Sequence, residues 1–247
     1  MQREERTASG LATVLDTVVA PAAAFERLRE APTWGWAFAV AFALSALAFI
    51  LEVPVLSHVW YLGLQHALAT NSMYANVDPE QRQRMLAAVA HPDAARLALY
   101  VVTSGLGLLV AVLLNTLILW AGSAVGGGDA DFKRLWSASM NIAVPSVGIG
   151  SLVTAAVILL RGPAAFSSAA DLANATLSPA LLAPHAAPAL QGFLVGLGIF
   201  NLWGFALNVL ALRVLAKASP TASWLFPAVI LFGGAAFAAL GSASAAH

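Results

Sequence analysis

Five long apolar stretches divide the chain. They run from Trp34 to about Val55, from Ala98 to about Val125, from about Leu135 to Leu160, from about Leu190 to Ala216, and from Ser223 to about Ser242. A hydrocarbon core about 30 Å thick needs about 20 consecutive apolar residues in a helix, and each stretch meets that length. None shows the single apolar stripe of a soluble amphipathic helix; each is apolar all round, which argues against a soluble bundle. The pattern predicts an all-α fold: a polytopic membrane helical bundle with five transmembrane helices, forming one domain over residues 1–247.

The polar intervals predict shorter elements. PAAAFERLRE at 21–30 starts with a proline suited to a first helical turn and alternates Phe25 and Leu28 with charged residues, as an interfacial helix does. Residues 1–33 therefore read as a lead-in that sets the entry angle of the first span or offers a docking site. The connection from about Ser57 to Asp93 predicts two short outer helices: WYLGLQHALAT, then DPEQRQRMLAAVAHP, where Asp78 can cap, Pro79 fits the first turn and Pro92 stops. The connection after Arg161 is Ala-rich with Pro163, Pro179, Pro184 and Pro188 as breakers, again predicting short outer helices. These loops cap the end of the bundle or line an entrance to it.

Composition agrees: the chain is 60% hydrophobic and 10% charged, with a mean hydropathy of +0.81. Twelve basic residues balance twelve acidic ones, so no net field attracts nucleic acid. The absence of cysteine removes disulfides, thiolate metal sites and Cys nucleophiles. MQREER is mixed in charge and the first apolar run begins only at Trp34, so the first span reads as retained and not as a signal peptide. Positive charge near span ends is held in the cytoplasm. Arg3, Arg6, Arg27, Arg29, Lys133, Arg134, Arg213 and Lys217 fall on one side, against Arg82, Arg84, Arg96 and Arg161 on the other. The expected topology is N-terminus inside and C-terminus, at His247, outside.

Candidate chemistry is sparse. The five histidines include no pair at i,i+4, and no HExxH, GxSxG or Walker loop occurs; neither a catalytic residue, a cofactor site nor a metal site is expected. Gly126 to Asp129, GGGD, reads as a turn between spans. Ionisable groups within a span are costly and so are default functional candidates. Glu52 is the one marginal case: either an interfacial acid just before Pro54, or a proton or cation site. Polar and small residues form stripes that face protein: Ser104, Ala111, Asn115 and Gly122 on the second span, Asn141, Pro145 and Gly148 on the third, Asn201, Gly204 and Asn208 on the fourth. Gly192 and Gly196 make a GxxxG approach. The stripes either hold helices together or line a cavity through Asn115, Asn141, Asn201 and Asn208; a separate reading is a membrane-embedded ligand pocket without turnover, with Trp203 and Phe205 as apolar walls. Pro145 is expected to kink the third span, with its freed carbonyl satisfied by a neighbour.

Three segments carry a family resemblance: DTVVAPAAAFERLREAPTWGWAFAV, FKRLWSASMNIAVPSVGIGSLV and NLWGFALNVLALRVLAKASPTASWLFPAVI. With Pro21, Phe25, Pro145, Trp203, and Ser219 with Ala222 in the recurring positions, the chain resembles the bacterial branch of the Yip family, five-span membrane proteins that interact with Ypt/Rab GTPases. The resemblance implies a cytoplasmic N-terminus, an outer C-terminus and no known catalysis. It also implies companionship with ABC-type exporters or envelope-stress systems. The expected function is a non-enzymatic integral protein of the bacterial inner membrane that organises or assists an assembly, contacting the lipid bilayer and a membrane-protein partner or a second copy. The alternative is a transport protein or channel that passes an ion, lipid or small solute through the bundle.

Overall fold

The computed structural model describes residues 2–244, with side chains over 10–168 and 170–244; His247 lies outside the described residues. The described chain is all-helical, a polytopic bundle. Four helices are long and apolar enough to cross a membrane: α3 (Gly35–Thr70), α5 (Ala94–Val125), the continuous run Phe132–Arg161 and α11 (Pro220–Ser244). The run Phe132–Arg161 comprises α6 (Phe132–Ala143), a π-helical turn (Val144–Ile149) and α7 (Gly150–Arg161). One further crossing, the fourth in chain order, is made by α9 (Pro188–Gly196) and α10 (Ile199–Leu210, continued to Leu215 by a π-helical turn), bent by 47° at Leu197 and Gly198. The bent pair runs the length of α11 in antiparallel fashion, since Gly192 lies against Ser242, Gly196 against Ala235 and Phe205 against Trp224. It therefore traverses the bundle once.

The helix starts follow from local chemistry. Asp78, Asp93 and Asp131 each accept a backbone N–H of the next turn, from Glu80, Arg96 and Arg134, and so cap α4 (Pro79–Ala90), α5 and α6. The second outer helix is α4. The first expected outer helix is not separate: Trp60–Thr70 continues α3, which runs through Pro54 for 36 residues. The reason is the absence of any stop signal after Pro54. The helix ends only at Asn71, whose side chain accepts the Met73 N–H (2.9 Å) and starts a different turn.

Pro145 acts through a widened turn. Its missing N–H and ring are accommodated by the π-helical turn, and the Asn141 carbonyl takes the Val144 N–H instead. The carbonyl is satisfied within the same helix and not by a neighbour. The break in the fourth crossing was not expected from the apolar run. Gly196 packs so closely that a Cβ would run into the Ala235 backbone, and past that point the chain turns. The groups freed there find partners: Asn201 Nδ2 donates to the Gly196 carbonyl (3.0 Å) and Ile199 N–H to the Leu177 carbonyl (3.0 Å).

Two further helices precede the first crossing. α1 (Gln2–Val19) has no counterpart in the sequence expectations, and α2 (Pro21–Glu30) matches the expected interfacial helix. α1 buries Val14 while leaving Leu15 and Val19 exposed, 67% and 76%, an arrangement suited to lying on a membrane surface. α2 is held more deeply. Phe25 and Leu28 are fully buried in a core with Leu119, Leu135, Leu207, Leu212 and Leu215. At this same end the α5–α6 turn meets the α10–α11 turn: Asp129 N–H donates to the Ala216 carbonyl and Ser219 N–H to the Gly126 carbonyl, both at 2.9 Å. This is the basic end of the bundle; the long connections lie at the other.

Candidate functional site

The polar stripes converge at two points. Asn115 on α5 and Asn208 on α10 exchange side-chain amide hydrogen bonds in both directions, each 3.1 Å, and Asn115 Nδ2 also donates to Ser139 Oγ at 2.9 Å. Three crossings are thus joined by one polar cluster. Amides satisfied in this way are fixed, and the cost of burying them is offset by their partners. Asn141 stands apart, donating to the Thr33 and Ser137 carbonyls at 3.1 and 2.8 Å, so it fastens the α2–α3 junction to α6. Ser137, Ser139 and Asn141 are all buried.

A cavity of about 630 Å³ lies in the half of the bundle nearer the long connections, walled by α3, α5, the third crossing and the α9–α10 break. Of the singled-out residues, Glu52, Ser104, Ala111 and Asn201 line it; Asn115, Asn141 and Asn208 do not. Pro145 is buried in the π-helical turn beside the cavity-lining Ser146. Trp203 leans on Phe200, with ring centroids 6.4 Å apart, and packs against the basic-end core; Phe205 stacks at a tilt on Trp224. Neither forms part of the wall.

The α3 wall carries Ser45, Phe49 and Glu52, an i, i+4, i+7 stripe on one helix face. Ser146, Gly150 and Thr154 make a matching stripe on the third crossing. Sequence reasoning missed the serines because each sits singly among apolar residues; the i, i+4, i+7 spacing from Ser45 to Glu52 was the available signal. The rim includes exposed Ser104, Gly107, Val147 and Ile199, so the cavity opens sideways between lipid-facing surfaces. Phe42 closes on Gly105, and Tyr100 meets Phe49 and Trp60 at 5.9 and 5.5 Å, holding α3 to α5 across it.

Charge concentrates elsewhere. Arg27 pairs with Asp16 at 2.7 Å and Arg29 with Asp129 at 2.6 Å, tying α1, α2 and the α5–α6 turn together at the basic end. In the last long connection, Ser167 bonds the Asp171 carboxylate and holds its pKa below the ordinary carboxylate range. Among the described residues no group of three His, Asp or Glu side chains is placed to hold a metal ion.

Comparison with known proteins agrees with this architecture. The membrane protein YknW of Bacillus subtilis (strain 168) is 27% identical over 236 residues, covering 94% of this chain and 90% of that one. No solved structure matches. The family model described as Yip1 domain matches residues 15–242, from the end of α1 through nearly all of α11; the chain is a multi-pass membrane protein of the Yip1-domain family.

Proposed function

We propose that the protein is a non-catalytic component of a bacterial inner membrane, a single transmembrane domain that organises or assists a larger assembly such as a transporter or an envelope system. Its N-terminus lies in the cytoplasm and its C-terminus outside, as the basic residues at the end shared by α2 and the two short turns favour. The observation that carries this reading is the Asn115–Asn208–Ser139 cluster. Polar groups that could have lined a path through the membrane are engaged with one another, and so serve to hold a fixed bundle whose outer faces are free for partners. Crosslinking in the native membrane followed by identification of the products tests it. A discrete heteromeric or homomeric product is expected; monomer alone under efficient crosslinking overturns the reading.

A second reading has one specific observation behind it: the cavity with Glu52 in its wall suits a protein that passes an ion, lipid or small solute. Flux in liposomes that Glu52→Gln abolishes would favour it over the first.

A further inference from the structure

Glu52 is set in α3 17 residues after Gly35, about 26 Å along the helix. With Trp34 and Trp36 at one membrane interface, that distance puts its carboxylate near the opposite interface of a hydrocarbon core about 30 Å thick. It faces the cavity half-buried and, among the described residues, has neither a hydrogen bond nor an ion pair. No Lys, Arg or His lines the same space. Ser45, two turns further in, also faces the cavity, and its Oγ is buried without a partner. The half-buried Glu52 carboxylate is thus an acceptor with nothing in the protein to satisfy it.

The rest of the wall restricts what could do so. Phe42, Phe49, Leu108 and Phe200 make it largely apolar, and Phe42 lies about 15 Å deeper along α3 than Glu52. Calcium or magnesium takes six or more oxygen ligands and zinc favours His or Cys, whereas this wall holds Glu52 as its single acid and neither His nor Cys. The complement of one acid at headgroup depth above an apolar, laterally open shaft is a molecule with a cationic head that donates hydrogen bonds and a hydrocarbon tail. A primary ammonium has three donors for the carboxylate and hydroxyls, whereas a quaternary ammonium has none. We propose that this cavity binds an amphiphile with a primary ammonium headgroup, the ammonium on Glu52 and the alkyl chain running inward along Phe42, Leu108 and Phe200. The site requires no passage of its ligand and goes beyond both functional readings above. A membrane lipid with an aminated headgroup and a free long-chain amine share this chemistry.

Full-length protein in dodecyl maltoside micelles, titrated with dodecylamine, dodecyltrimethylammonium or dodecanol and followed by tryptophan fluorescence and thermal unfolding, tests the site. The wild-type protein is expected to prefer dodecylamine over both other probes by about tenfold or more. Glu52→Gln should bring the three probes level, whereas Ser45→Ala, about 10 Å deeper along α3, should leave the preference standing. A Cβ at Gly107 meets nothing within 4 Å, so Gly107→Trp should fill the mouth and suppress binding of all three while the fold persists. Wild-type protein that does not distinguish dodecylamine from dodecanol overturns the proposal, as does an unchanged preference in a folded Glu52→Gln protein. Lipid analysis of the purified protein separates the two sources. Enrichment of amine-headgroup phospholipid over phosphatidylglycerol in wild type but not in Glu52→Gln identifies a lipid; no enrichment with dodecylamine binding intact identifies a free amine.

Discussion

The two ends of the bundle are built on different plans. At the basic end, seven large apolar side chains from α2, α5, α6 and the fourth crossing close over one another, two inter-span turns exchange backbone hydrogen bonds, and ion pairs tie α1 and α2 to the rim. Towards the other end, α3, α5, the third crossing and the α9–α10 break surround a cavity instead. Small residues serve both plans. Gly122 lets Phe226 of α11 lie against α5, whereas Gly107, four turns earlier on the same helix, has open space beside it. One helix thus supplies a packed seam at one end and a gap at the other.

The sharpest way to break this contrast is to empty the closed end. Phe25 is fully buried, so Phe25→Ala should cost about 3 kcal/mol or more, read as a fall in melting temperature in detergent, with loss of α2 protection in hydrogen exchange. The glycine pair comes next. A Cβ at Gly122 would lie 2.7 Å from the Phe226 ring, so Gly122→Ala should destabilise by about 1 kcal/mol or more, while Gly107→Ala should leave the melting temperature unchanged or raise it slightly. Equal effects at the two positions would remove the distinction between seam and gap. Smaller still is the amide pair: a double-mutant cycle of Asn115→Ala and Asn208→Ala should give a coupling of about 0.6–1.7 kcal/mol. The smallest effect is local to the last long connection. Ser167 holds the Asp171 pKa below its unfolded value, so this contact stabilises above the ordinary carboxylate range and is lost as pH falls through the lowered folded value. The protection factor of the Ser167 amide, its exchange rate corrected for the intrinsic pH dependence, should fall on acidification in wild type and be low at all pH values in Asp171→Ala.

The apolar runs made the bundle legible because lipid demands length and leaves little room for other signals. Phe25 in the first helical lead-in and the Gly192–Gly196 approach could also be read, since both depend on local spacing. What could not be read was long-range or depended on packing. Asn115 and Asn208 are 93 residues apart, and nothing in their own helices says that each amide completes the other. The bend at Leu197 and Gly198 comes from α11 pressing on Gly196, which an unbroken apolar run conceals. α1 escaped notice because its polar half lowers its average hydropathy, although Leu11, Leu15 and Val19 keep the helical spacing. The cavity had a trace in the Ser45 to Glu52 spacing, but its depth arises from three other elements.

The length of α3 bears on how the molecule would be seen from outside. Its 36 residues extend about 54 Å, against a hydrocarbon core of about 30 Å. From about Val55 onward the helix runs beyond that thickness, with α4 folded back beside it and the connection after Arg161 packed on Val55 and Val59. In projection this surface would carry a ridge built of α3, α4 and that connection, a landmark for telling which way up each particle lies.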